Sequence, residues 1–377
     1  MEIFISAGEA SGDLHGSHLA RAIWSIAPQT RICCLGGPHL QAEGVPVIVD
    51  NRSLSVVGAT EVAAHIRAFY GAWVKIRSHL LATRPSLVVL IDFPDFNLFL
   101  GKFAKKNGAK VLYYISPQIW AWREGRVNKI RRLADRVAVI LPFEKGFYAS
   151  HGMDVDYVGH PLVDVMADLP DKTQCDRLYH NFSGPLVGLL PGSRHSEIKL
   201  LFDILMGAGR IISQSFPAAR FIIPVASSLN ARDMESRAAR WSLPVQFVHN
   251  DTYGAIRACD LILTVSGTVT LEAAILETPM IIVYKVSSLS KLIALLLVRA
   301  KFAGLPNLIA GKAIVPELVR DEPTAISLSE CAMKFLVNPA LLETQRLELR
   351  RIRGLLGDPG ISARVARIAL DTAGHAR

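Results

Sequence analysis

Cysteine is scarce in this chain: Cys33, Cys34, Cys175, Cys259 and Cys331 are the whole set. An odd number at these spacings fits neither a disulfide framework nor a zinc knuckle. Each is read as a small core residue in a reducing compartment. Long apolar runs are also missing. The longest uncharged one, residues 292–298, is far short of the about 20 residues a membrane span requires. The start, Met1-Glu2-Ile3-Phe4-Ile5, lacks the basic-then-apolar layout of a secretory signal, so secretion is not expected. There is no P-loop, H-E-x-x-H, nucleophile elbow or dinucleotide G-x-G-x-x-G, and no D-x-D metal pair of the kind that clamps a nucleotide diphosphate is assigned. The eleven histidines are scattered, and none is assigned as a ligand. No metal or cofactor is therefore expected. A nicotinamide-dependent dehydrogenase is disfavoured.

What is present is apolar and basic. Half of the 377 residues are hydrophobic, enough for two cores, and mean hydropathy is +0.30. Net charge is 42 − 33 = +9. That balance favours phosphate-bearing partners. Nucleic acid is disfavoured, because no zinc-finger, helix-turn-helix or RNA-binding aromatic signature appears.

Short apolar runs alternate with helical patterns. Strands are expected at 3–6, 32–35, 47–49, 87–91, 111–115 and 137–141, with helical stretches such as 19–25 and 62–81 between them. A polar, irregular stretch from Gly159 to Pro185 reads as a hinge. A second series follows at 186–190, 221–225, 245–248, 261–265 and 280–284. Buried strands separated by helices imply parallel sheets covered on both faces. The expected fold is α/β, with two tandem doubly wound Rossmann-like domains facing a cleft. The domains are placed at 1–163 and 164–345, with a helical tail, 346–377, packing back on the first.

Ligands of such sheets bind beyond the carboxyl ends of the strands. Six motifs lie there. Ser6-Ala7-Gly8-Glu9-Ala10-Ser11-Gly12-Asp13 offers an anion turn with Glu9 and Ser11 toward ligand; the alternative makes Ser11 or Asp13 a helix cap. Ile91-Asp92-Phe93-Pro94-Asp95-Phe96-Asn97 ends an apolar strand. Partial burial there suits a general base, and Asp92 is preferred over Asp95, which could equally cap a helix. Ser116-Pro117-Gln118-Ile119-Trp120-Ala121-Trp122-Arg123 sets rings beside a cation, either for ligand or as core. In Leu190-Pro191-Gly192-Ser193-Arg194-His195-Ser196-Glu197, Gly192 admits a diphosphate to the backbone, Ser193 donates, and Arg194 supplies a cation. Ser266-Gly267-Thr268-Val269-Thr270-Leu271-Glu272 forms another anion nest, with Glu272 for a ribose diol or as a helix-start partner. In Leu305-Pro306-Asn307-Leu308-Ile309-Ala310-Gly311, Asn307 is a sugar contact or a turn residue.

Two stretches join apolar and basic residues. Val62, Ile66, Phe69, Trp73, Ile76 and Leu80 form a helical stripe with Arg67, Lys75 and Arg77 beside it. Residues 289–302 combine an apolar run with Lys291, Arg299 and Lys301. Core packing is the alternative for both.

Taken together with Leu141-Pro142-Phe143-Glu144-Lys145, these motifs resemble the lipid-A-disaccharide synthases over residues 3 to about 318. The resemblance implies a B-type glycosyltransferase fold with an acceptor-side first domain and a UDP-sugar-binding second. It implies UDP-2,3-diacylglucosamine as donor and 2,3-diacylglucosamine 1-phosphate as acceptor. The product would be a β-1,6 disaccharide, formed by inversion with Asp92 as base. Gly192, Ser193 and Arg194 would steady the departing UDP, Glu272 the ribose, and Asn307, Glu9 and Ser11 the sugars. A cytoplasmic protein lying on the anionic inner membrane is implied, and a homodimer is compatible with it. The competing readings are a UDP-N-acetylglucosamine 2-epimerase-like enzyme and a non-catalytic lipid carrier at the membrane surface.

Overall fold

Where apolar residues run without interruption, the chain forms strands buried on both faces. The first sheet contains β1 (Glu2–Ala7), β2 (Arg31–Gly36), β3 (Val47–Asp50), β4 (Leu87–Ile91), β5 (Lys110–Tyr114), β6 (Arg136–Val139) and β7 (Asp156–Tyr157). All pairs are parallel, in the order β3-β2-β1-β4-β5-β6-β7. The second contains β8 (Leu186–Leu190), β9 (Arg220–Val225), β10 (Val245–His249), β11 (Leu261–Val265), β12 (Met280–Val283) and β13 (Glu317–Leu318). It too is parallel, ordered β10-β9-β8-β11-β12-β13. The computed structural model describes residues 1–54, 62–122, 124–226, 229, 231–285, 301–318 and 323–374, without the side chains of 62–66 and 122.

Strands β7 and β13 are not expected from the sequence pattern. Each has two half-buried residues and no apolar run to announce it. The triplet Asp154-Val155-Asp156 is a D-x-D by spacing, but it leads into β7, and Asp156 pairs with Arg136 at 2.7 Å. Its second carboxylate is thus committed to a neighbouring strand.

The chain divides into two units, Met1–Asp164 with Leu356–Arg377, and Val165–Leu355. Residues 346–355, assigned to the tail by sequence, instead finish the helix Pro339–Leu355 of the second unit. The last helix, Ile361–Ala373, packs on the first unit's helix α1 (Ala10–Ile26) and on β4 and β5. Asp164 caps it, accepting from the backbone N–H groups of Gly360 (2.7 Å), Ile361 (3.1 Å) and Ser362 (2.8 Å). The expected hinge stretch contains two short helices, Leu162–Val165 and Lys172–Tyr179.

Three more helices position the first unit's loops: α2 (Pro38–Ala42), α3 (Val62–Thr83) and α4 (Pro94–Lys106). Asp13 does not cap α1. It is fully buried and accepts from Gly37 (2.6 Å), His39 (2.8 Å) and Leu40 (3.3 Å), closing the start of α2. The apolar stripe of α3 faces inward. Ile76 and Leu80 are core residues, and Phe69 and Trp73 pack against the same core. The Val62 and Ile66 side chains lie outside the described residues.

Candidate active site

In each sheet the strand order reverses beside the first strand, between β1 and β4 and between β8 and β11. Loops leaving neighbouring strands at such a point diverge and leave a crevice at the carboxyl ends. Four of the six motifs leave those strands.

In the first unit, the β1 loop carries Gly8 and Glu9 and leads into α1 with Ser11 in its first turn, and the β4 loop carries Asp92 and Phe93. A β-carbon on Gly8 would meet the Phe93 ring at 2.1 Å, so only glycine lets the two loops pack this closely. Glu9 and Ser11 are exposed, and Glu9 precedes α1 without any side-chain cap. Asp92 and Phe93 both take left-handed backbone, φ 45° and 49°. Such strain persists only when neighbours fix it. Here the fixing group is Asn97, fully buried. Its amide donates to the carbonyls of Asp92 (2.7 Å) and Ile91 (3.1 Å), and it accepts from the Ser6 hydroxyl at 2.6 Å. The Tyr113 hydroxyl also donates to the Asp92 carbonyl, at 3.1 Å. The Asp92 carboxyl is left partly buried at the loop tip. Burial pushes it up to about 6, the nearby Glu9 charge acts the same way, and the Phe93 N–H opposes them. A carboxylate in that range can take a proton near neutral pH. Asp95 differs: its side chain is 78% exposed and pairs with Arg126 at 2.6 Å.

In the second unit, the β8 loop turns at Gly192, φ 105°. The Glu197 carboxylate folds back over it, accepting from the N–H groups of Ser193 (3.0 Å) and Arg194 (3.2 Å) and pairing with the Arg194 guanidinium at 3.1 Å. The donors expected to meet a diphosphate are thus engaged by an internal anion. Sequence reasoning alone assigns Glu197 no part. The Arg194 side chain remains 76% exposed. A β-carbon at Gly192 would fall 2.2 Å from the Glu197 carboxylate. If the loop takes a nucleotide diphosphate, as the motif implies, Gly192→Ala should spread it and weaken UDP binding at least tenfold by calorimetry while leaving the sheet folded. Unchanged affinity would exclude the loop from nucleotide binding.

The β11 loop presents exposed Gly267 and Thr268 at the start of the helix Thr268–Ile275. Ser266 is used internally, its hydroxyl donating to the Ala303 carbonyl at 2.8 Å. Glu272 lies within that helix. Burial raises its carboxyl to about 7, and a hydrogen bond from the Tyr253 hydroxyl pulls it back. Tyr253 has no motif to single it out in the sequence, because it arrives from a separate helix, Thr252–Ala258.

Asn307 is a structural residue. It is fully buried; its amide donates to Val315 (2.9 Å) and Glu317 (2.7 Å), and its oxygen accepts from Ile314 (2.7 Å) and Val315 (3.0 Å). No bonding capacity is left for a sugar. Trp120 is half-buried and edge-on to Phe143, 4.8 Å between centroids. Glu144, also buried, accepts from Ile140 and Leu141 at the start of the helix Pro142–Ser150. The Trp122 side chain, Arg123, Lys291 and Arg299 lie outside the described residues. Of the second greasy stretch, Lys301 and Phe302 are described, the ammonium 5.8 Å from the ring centre.

A family model described as lipid-A-disaccharide synthetase matches residues 3–361. The chain belongs to that family. A Geobacter metallireducens protein named lipid-A-disaccharide synthase is 42% identical over 376 residues, covering 100% of this chain and 98% of the relative. Lipid-A-disaccharide synthase 1 of Legionella pneumophila (strain Lens) is 39% identical, covering 93% and 92%. Among solved structures, the Staphylococcus aureus MnaA–UDP complex superimposes with a TM-score of 0.69 at 13% identity, covering 100% of this chain and 97% of that one. Acinetobacter baumannii MurG gives 0.63 at 13% identity, covering 98% and 99%. Such identities establish the fold alone, the B-type glycosyltransferase fold. The family establishes an enzyme, a glycosyltransferase of lipid A biosynthesis. The epimerase alternative shares only that fold with this chain. Among the described residues no single helix is long and apolar enough to cross a membrane.

Proposed function

We propose that the enzyme joins UDP-2,3-diacylglucosamine to 2,3-diacylglucosamine 1-phosphate, giving the β-1,6-linked disaccharide 1-phosphate and UDP. The observation that carries the reading is Asp92, a carboxyl raised to about 6 at the carboxyl end of β4. It takes the proton of the acceptor's 6-hydroxyl. That oxygen attacks the anomeric carbon, the bond from this carbon to the diphosphate breaks on the opposite face, and configuration inverts. The exposed Glu9 and Ser11 orient a sugar, while Asp95 stays in its pair with Arg126. In the second unit, the exposed Arg194 guanidinium and the Gly192 N–H meet the departing diphosphate, and the Ser193 N–H joins them once the Glu197 carboxylate swings off it, with Gly267 and Thr268 at the helix start after β11. Glu272, braced by Tyr253, holds the ribose. Ser266 steadies its loop through Ala303.

The test is transfer by purified protein in detergent, with both substrates and chelator present. Disaccharide phosphate and UDP should appear together and only when donor and acceptor are both supplied. UDP without acceptor would favour the epimerase chemistry, and UDP binding without product a carrier.

With lipid-tailed substrates, this enzyme works on the anionic cytoplasmic leaflet. Along the described part of α3 the large apolar residues that reach solvent are Tyr70 (68% exposed), Val74 (46%) and Leu81 (44%), with Phe99 (54%) of α4 lying against Trp73. Arg67, Lys75 and Arg77 are exposed on the same helix. Replacing Tyr70, Val74 and Phe99 together by Ser should reduce flotation with anionic vesicles several-fold while UDP binding is kept. Undiminished flotation would move the membrane face elsewhere.

A further inference from the structure

Glu2, Cys33 and His79 take no part in the chemistry above. The fold gathers them at the amino end of the first sheet, the end opposite Asp92. Glu2 opens β1, Cys33 sits in β2 opposite Phe4 in the register, and His79 comes from the last turns of α3. His79 Nε2 is 3.0 Å from Cys33 Sγ and 3.8 Å from Glu2 Oε1. The three donor atoms all lie within 4.8 Å of one another. Bonds of about 2.0–2.3 Å in a tetrahedral zinc site put neighbouring donors roughly 3.3–3.7 Å apart, so small side-chain adjustments suffice. Cys33 is buried, and the Glu2 and His79 side chains are 11% and 21% exposed.

A second observation points to a ligand. Glu2 Oε1 is buried and accepts no hydrogen bond. The other oxygen, Oε2, pairs with Arg31 at 3.3 Å, so half of the carboxylate is accounted for. An orphaned buried acceptor is costly, and a cation would satisfy it. The Phe4 ring, 6.0 Å from the His79 ring, lies against one side of the cluster.

We propose that Glu2, Cys33 and His79 bind a divalent transition metal of the zinc class. Thiolate, imidazole and carboxylate are the donors zinc takes, and three protein ligands leave a fourth position for water. The sulfur–metal bond forms as the Cys33 thiol gives its proton to solvent. Arg31 holds the far oxygen of Glu2 and so fixes which one faces the metal.

The test uses the full chain without a histidine tag, stripped by chelator and titrated with cobalt(II). Thiolate–cobalt complexes absorb in the near ultraviolet, and tetrahedral ones strongly in the visible. One cobalt per chain should bind with both bands, and zinc should displace it. Cys33→Ser should abolish the thiolate band. Glu2→Gln, which keeps the shape, should weaken binding about tenfold or more. If Cys33→Ser fails to fold by circular dichroism, Glu2→Gln and His79→Gln decide between them. Absence of the thiolate band, its persistence in Cys33→Ser, or unchanged affinity in Glu2→Gln would overturn the site. None of these readouts depends on the transferase reaction.

Discussion

Asp92→Asn should lower turnover by about 10²–10⁴ while the folded protein becomes more stable at neutral pH. Both effects come from one carboxyl. Its folded value is about 6, against an ordinary 3.8. As pH rises from about 4 to about 6, the unfolded chain loses this proton while the folded chain keeps it, so stability falls across that window. Above it the whole cost remains. A tenfold change in acidity is worth about 1.4 kcal/mol, and the carboxyl is partly exposed, so solvent screening leaves on the order of 1–2 kcal/mol. Asparagine carries no charge and recovers that amount. Melting curves at pH 7.5 should show the variant above the parent, with the difference fading near pH 4. In the parent, kcat/KM should rise through an apparent value near 6 as the base loses its proton. UDP affinity should not change, because the loops we propose for the nucleotide belong to the second unit. Near-normal turnover in the variant would end the assignment of Asp92 as base, and a lower melting point would contradict its burial cost.

Asp13→Ala should cost about 3–5 kcal/mol, a large share of the 5–15 kcal/mol that holds a typical domain together. The carboxylate accepts three backbone N–H groups, from Gly37, His39 and Leu40. Alanine leaves all three donors without it, and the Asp13 position is fully buried, so water cannot readily take its place. Asp13→Asn should lose less, since one oxygen still accepts. Denaturant melts with unchanged slope would measure this, and hydrogen exchange should place the loosening at α2 and the β2 end. A loss below about 1 kcal/mol would mean that other groups close the start of α2.

The parallel sheets were legible because strands buried on both faces leave near-continuous apolar runs, as at Leu87–Ile91. The loops worth testing were legible because they follow such runs. What each side chain does there was less accessible. Glu197 stands three residues after Arg194, a spacing that reads equally as a helix cap and as nothing, and only the turn at Gly192 swings its carboxylate over the loop. Asn307 is saturated by Ile314, Val315 and Glu317, which a following turn brings back to it. The period of α3 identified residues sharing a face, but periodicity carries no sign for inward or outward, and Phe69 and Trp73 turned in. Glu2, Cys33 and His79 have no motif spacing at all; strand register and one helix make them neighbours.

The chain's two crossings between units, after Asp164 and after Leu355, bear on its birth at the ribosome. Translation delivers the second unit as one unbroken stretch, which can close once Leu355 has emerged. The first unit is begun earlier but finished later. Until Ile361, Val365 and Leu370 arrive, the face of α1 that they cover has no lid, although the strands beneath it were made long before. At synthesis rates of about 5–20 residues per second, a nascent chain spends many seconds in that half-built state, with apolar surface open to chaperones. A chain ended at Gly360 and released from the ribosome should therefore yield a finished second unit attached to a protease-sensitive first one.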